Sequence, residues 1–150
     1  QKLTDELLPL ARQQEVGILA RVPLASGLLA GRFAPGHQFP SEDHRHYNAH
    51  GQVFNVGETF AGLPFAKGVE LAEKVRAILE PAGGEAMSQL ALRWILDHAA
   101  VSTVIPGATK VVQAESNAAA SGLLPLGEAT HRQLRELYER EIASEIRGPY

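Results

Sequence analysis

"VIPGATKVVQAESN", residues 104–117, opens as a β-rich apolar run, breaks at Pro106 and Gly107, and passes through Thr109 and Lys110 into a helical pattern. Strand, turn and helix in that order predict a β–α junction. Toward the N-terminus, "VSTVI" (101–105) is the strand itself. Before it, "AMSQLALRWIL" (86–96) makes a helix apolar around most of its circumference, of the kind that packs against a sheet. In the other direction the helix runs to about Ala120 and stops near Gly122. The same order occurs earlier: "VGILARV" (16–22), bounded by Glu15 and Pro23, suits a strand buried on both faces, and a Gly-rich turn follows it. Parallel strands alternating with helices give an α/β architecture, whose ligands sit at the carboxyl ends of the strands.

Two strands do not finish a sheet, and open edges are what a complete domain pairs or covers. The chain therefore reads as part of a larger barrel or sheet, and its start at Gln1 rather than Met suggests a piece of something longer. At 150 residues and 45% hydrophobic it forms one domain with one core. A net charge of -3 argues against nucleic-acid or anionic-membrane surfaces and favours a small neutral or anionic ligand. No apolar run approaches the ~20 residues needed to span a bilayer, and no charged-then-apolar leader opens the chain. With no cysteine, a disulfide framework, a thiolate metal site and a Cys nucleophile are all excluded, and a cytoplasmic setting fits.

Elsewhere, Leu3, Leu7, Leu10 and Ala11 share a helical face, with Thr4 as N-cap and Asp5 and Glu6 in the first turn. Pro9 fits there only if the regular helix begins near Leu8 or its first turn is loose. Residues 33–67 are rich in Gly, Pro, His, Asn and Asp without a steady period, which predicts a long inserted loop holding one short helix at most. From Gly68, Leu71, Ala72, Val75, Ile78 and Leu79 recur at helical spacing opposite Glu70, Glu73, Lys74 and Arg76, until Pro81, Gly83 and Gly84 break the pattern. A last helix carries Leu134, Leu137, Tyr138 and Ile142 on one stripe, and 147–150 is a tail.

The two strand ends carry the candidate chemistry. In "PLASGLLAGRF" (23–33), Gly27 and Gly31 free the backbone to approach a ligand and Arg32 adds a charge. Neither the P-loop spacing nor G-x-G-x-x-G is present, and a tight turn with no ligand reads equally well. After the second strand, Gly107 lets the main chain come close, and Thr109 and Lys110 sit at a helix N-terminus whose N–H groups favour an anion. Taken alone, Lys110 reads more readily as a solvated surface lysine. Glu42, His46 and His50, at four-residue intervals with His37 and His44 nearby, could face a metal from one helix. No apolar periodicity supports that helix, and the zincin order needs Glu directly after the first His, so no metal is assigned. Trp94, with Met87, Leu90 and Ala91 at helical spacing, reads as core, and His98 and His131 as partly exposed helical residues.

Three stretches, "GILARVPLASGLLAGRF", "FPSEDHRHYNAHGQVFN" and "ALRWILDHAAVSTVIPGATKVVQAESNAAA", together resemble the C-terminal half of the aldo/keto reductase family over nearly the whole chain. The first is similar to its seventh barrel strand and the loop around the cofactor pyrophosphate. The second is similar to an insertion of bacterial members, and the third to the penultimate helix, eighth strand and cofactor clamp. The resemblance implies a partial (β/α)8 TIM barrel, about the last two strands with their helices, binding NADPH across the carboxyl ends without a Rossmann domain. By that resemblance Pro23, Leu24, Gly27, Leu28 and Gly31 line the pyrophosphate and nicotinamide side, with Arg32 at its edge, while Ile105, Pro106 and Gly107 shape the other wall. Thr109 and Lys110 hold the ribose 2′-phosphate, and Gln113 and Asn117 reach the adenine. Ser116 departs from the acidic residue common before that asparagine. The family's catalytic Asp, Tyr, Lys and His come from the N-terminal half, so no catalytic residue is assigned. Tyr47, Tyr138, Tyr150, Lys2, Lys67 and Lys74 match no tetrad position and read as packing or surface residues.

The resemblance thus implies a parent that reduces small-molecule aldehydes or ketones with NADPH, to which this chain supplies the cofactor-gripping half and which needs the missing N-terminal half or a complementing chain. The alternative is a non-catalytic module that binds NADP(H) or complements a partner through its open sheet edges.

Overall fold

The computed structural model describes residues 2–82 and 84–148; Gln1, Gly83, Pro149, Tyr150 and the Lys2 side chain lie outside that description. Its sheet has two strands, β1 (Ile18–Arg21) and β2 (Val101–Ile105), paired directly and in parallel. Ile18 aligns with Val101, a register shift follows, and Leu19, Ala20 and Arg21 align with Thr103, Val104 and Ile105. The shift leaves the two carboxyl ends side by side. Both strands fall where the Pro and Gly residues bound them, but neither is buried on both faces. Ile18 and Ala20 are half-buried, whereas Leu19 is 62% and Ile105 54% exposed. Helices cover the sheet on one side only, which corrects the reading of 16–22 as a fully buried strand.

A 3-10 turn at Lys2–Thr4 precedes helix α1 (Leu7–Gln13), which starts after Glu6 and not at a Thr4 cap. Thr4 instead accepts a hydrogen bond from Arg135. Pro9 is the third residue of α1, within the first turn, where its missing N–H breaks no helical bond. Of the apolar stripe of α1 only Ala11 is buried; Leu3, Leu7 and Leu10 face outward.

The inserted loop is ordered around its aromatic rings. Phe33, Phe39, Phe60 and Phe65 meet at centroid distances of 5.0 to 5.7 Å, mostly edge to face. A short helix α2 (His44–Tyr47) opens on Asp43, whose carboxylate accepts from Arg45 N at 2.9 Å. Asn48 is fully buried and bonded at both ends of its amide: its Oδ1 accepts from Val53 N and Phe54 N, and its Nδ2 donates to Thr59 Oγ1.

Helix α3 (Phe65–Leu79) begins three residues before Gly68, with Pro64 leading in. It packs with α4 (Met87–Leu96) and α6 (Glu128–Leu137) around Leu71, Leu79, Leu90 and Leu134. Gly68 is in α3 because Leu28 sits where a Cβ would be, at 2.7 Å. Between them α5 (Val111–Ala119) follows β2, and a 3-10 turn closes it at Gly122. A π-helical turn, Tyr138–Ile142, prolongs α6 and pairs Glu141 with Lys74. Among the described residues no helix is long and apolar enough to cross a membrane.

Candidate functional site

The turn after β1 is unusual in its backbone. Val22, Ala25, Ser26 and Gly27 all have positive φ, of 51°, 48°, 56° and 98°, and Gly31 ends the segment at φ 66°. Such a run is rare for residues with a Cβ, and strained turns of this kind cluster where a backbone must meet a ligand. Pro23 is buried, Leu24 and Gly27 are half-buried, and Arg32 is exposed. Leu28, 4% exposed, turns its side chain into the core against Gly68, so only its main chain borders the turn's surface. The two glycines make room for this chain's own side chains. A Cβ on Gly27 would meet the Phe33 ring at 3.2 Å, and one on Gly31 would meet Arg76 Nη2 at 2.5 Å, whose guanidinium donates to Gly31 O at 2.6 Å.

Beside it lies the turn after β2. Ile105, Gly107, Thr109 and Lys110 are exposed and Pro106 is half-buried. Lys110 is the residue from which α5 starts, and among the described residues it has no ion-pair partner. Three donors converge on one oxygen here: Thr109 N at 2.8 Å, Thr109 Oγ1 at 3.1 Å and Lys110 N at 3.1 Å all reach Gln113 Oε1. That carboxamide caps the helix start, satisfying donors a free helix end would leave open. Asn117 Nδ2 donates back to Gly107 O at 3.3 Å and so fixes the turn. Chemically the arrangement is an anion cradle whose central place is held by a neutral oxygen of the chain itself.

Residues 3–139 match the sequence profile of the aldo/keto reductase family. The chain belongs to the aldo/keto reductase family. It is 33% identical over 113 residues to L-glyceraldehyde 3-phosphate reductase of Escherichia coli (strain K12), covering 74% of this chain and 30% of that enzyme. To a probable voltage-gated potassium channel subunit beta of Oryza sativa subsp. japonica it is 32% identical over 131 residues, 83% of this chain and 36% of the relative. The chain thus spans about a third of the length of the curated relatives it matches. The solved glycerol dehydrogenase AKR11B4 from Gluconobacter oxydans has a similar fold, with a TM-score of 0.75 at 21% identity, covering 100% of this chain and 42% of that one.

Other candidate groups of this aldo/keto reductase chain lie away from the two turns. Among the described residues no three metal-ligating side chains cluster: α2 ends at Tyr47, His50 lies beyond it against Arg147, and Glu42 precedes it against Ser41. Lys67 and Lys74 form ion pairs with Glu70 on α3. Asp97, 6% exposed at its side chain, joins α4 to α6 by accepting from Arg93 Nε and Leu126 N and bonding His131 Nε2, at 2.8 to 2.9 Å. His98 lies just past α4 rather than on it, edge-on to Trp94 at 4.8 Å, and among the described residues its buried Nε2 has no hydrogen-bond partner. Burial, then the nearby His131, lowers its pKa below the ordinary histidine value. Sequence reasoning missed Ser26 and Arg45. An Asp at position 43, just ahead of α2, is the kind of cap residue from which Arg45 could have been found; nothing local marks Ser26.

Proposed function

We propose that this chain is the C-terminal, cofactor-holding part of an aldo/keto reductase barrel that reduces aldehydes or ketones with NADPH in the cytoplasm. The observation that carries this is the convergence of Thr109 N, Thr109 Oγ1 and Lys110 N on one oxygen beside the exposed Lys110 side chain. A 2′-phosphate oxygen can replace Gln113 Oε1 there, and Lys110 adds the charge that a neutral acceptor does not need. Release of Gln113 then leaves its amide for the adenine, next to Asn117. The β1 turn, adjacent through the Arg21–Ile105 register, offers backbone N–H groups to the pyrophosphate. NADPH supplies hydride when bound; the chain's own residues bind and orient it. The proton donor and the groups that tune it belong to the N-terminal half of the longer polypeptide.

The kinship to channel β subunits favours a second reading, in which the bound cofactor serves a partner protein and not turnover. Both readings share the cofactor site. Lys110→Ala in the full-length polypeptide is expected to raise the dissociation constant for NADPH roughly ten- to hundredfold, the loss of a charge-assisted phosphate bond, and to change that for NADH little. Fluorescence titration with each cofactor checks it, and equal weakening of both overturns the assignment of Lys110. Carbonyl-dependent NADPH oxidation by the same polypeptide separates the reductase from the non-catalytic module.

A further inference from the structure

Two left-handed turns face each other at the β1 end. One is the run through Val22, Ala25, Ser26 and Gly27; the other is Phe60, Ala61 and Gly62, with φ of 52°, 53° and 82°. Residues with a Cβ hold this conformation only where their surroundings over-determine it. Here the surroundings come from the inserted loop. Ser26 Oγ accepts from Phe60 N at 3.1 Å and donates to Glu58 O at 3.4 Å, so one hydroxyl bridges both turns. Arg45 Nη1 donates to Ser26 O at 3.4 Å, and Arg45 is itself fixed by Asp43 and lies over the Phe39 ring, 4.6 Å from its centroid. Arg21, the last residue of β1, forks onto Glu58 at 2.9 and 3.0 Å. The Phe33 ring occupies the space a Cβ on Gly27 would need.

From these contacts we infer that Ser26 is a positioning residue for the cofactor pyrophosphate. Its hydroxyl, seconded by Arg45, locks the β1 turn to the inserted loop in the shape that presents the turn's backbone to the ligand. The inference rests on the cofactor reading above and deepens it: residues of the loop 33–64 set the affinity for the dinucleotide by shaping a turn, without needing to touch it. Ser26→Ala keeps a Cβ at the same φ and removes only the bridge.

The test uses the full-length polypeptide and three ligands: NADPH, NADH and adenosine 2′-phosphate, which reaches the α5 start but has no pyrophosphate. Ser26→Ala is expected to weaken NADPH and NADH alike, by about tenfold for the two lost hydrogen bonds, through faster dissociation, and to leave adenosine 2′-phosphate unchanged. Arg45→Lys, which keeps the charge but loses the fork, gives the same pattern more weakly and serves should Ser26→Ala fold poorly. Unchanged dinucleotide affinity in both variants overturns the role of Ser26 while leaving the cofactor site standing. Parallel loss of all three ligands with a lowered melting temperature overturns it as well, since that marks general destabilisation. Wild-type protein that binds none of the three defeats the underlying cofactor reading instead.

Discussion

Asp43 accepts from the backbone N–H and the guanidinium of Arg45, and Arg45, held that way, covers Phe39 and reaches Ser26 O. One carboxylate therefore organises the loop on both sides of α2. The Arg45 side chain, partly opposed by burial, brings the Asp43 carboxyl down to about 2. A depressed carboxylate contributes stability that is full above its unfolded value near pH 4 and is lost as pH falls through the folded value near 2. Asp43→Asn keeps the shape and abolishes the charge. It is expected to cost about 2 kcal/mol at pH 7 and to flatten the loss of stability between roughly pH 4 and 2. Urea unfolding at a series of pH values measures both; an unchanged slope in that window would show that Asp43 contributes nothing there.

At the scale of elements, the helices were legible because their apolar residues repeat at 3.6 and because Pro and Gly mark their ends, as at Pro81 and Gly122, although the sequence pattern places the start of α3 three residues after Phe65, where the helix begins. The strands were legible as short β-rich apolar runs bounded by Pro and Gly, and their direct pairing brings the two candidate turns together. What stayed hidden depends on distant residues: the bridge from Ser26 to Phe60 spans 34 positions, and the exposure of Leu19 depends on what lies across the sheet. Capping failed locally for Thr4, since the chain turns into α1 only at Glu6. The start of α5 turns the same physics into a prediction. Gln113→Glu places a full negative charge where three donors already converge, close to the positive end of the helix. Stability is expected to rise by about 0.3–1 kcal/mol while NADPH binding weakens far more than NADH binding, because the new carboxylate competes with the 2′-phosphate that NADH lacks, whereas the lost amide contact to the adenine is common to both. Thermal melts and paired titrations read the two effects, and loss of NADH affinity to the same degree would mean that Gln113 serves only the common part of the cofactor and does not stand in the place of the 2′-phosphate.

For the molecule as a whole, the sheet leaves apolar side chains in water. A two-stranded parallel sheet has two open edges, parallel sheets are otherwise covered on both faces, and here Leu19 and Ile105 stand more than half exposed, with Leu3 bare on the N-terminal 3-10 turn and Leu10 on α1. Burying one such side chain contributes roughly 1.5–3 kcal/mol, so leaving several in water is a cost that neighbouring barrel strands and helices would remove. Truncation separates the cases, because a side chain already in water loses little when shortened. Leu19→Ala is expected to cost under about 1 kcal/mol in residues 1–150 expressed alone and about 2–4 kcal/mol in the longer polypeptide proposed above, where the same leucine leaves a cavity. Denaturant unfolding of both forms, each with and without the substitution, gives the comparison directly. A small cost in both would mean that this face of the sheet stays open in the larger molecule, and that the closure of the barrel around β1 and β2 must be abandoned.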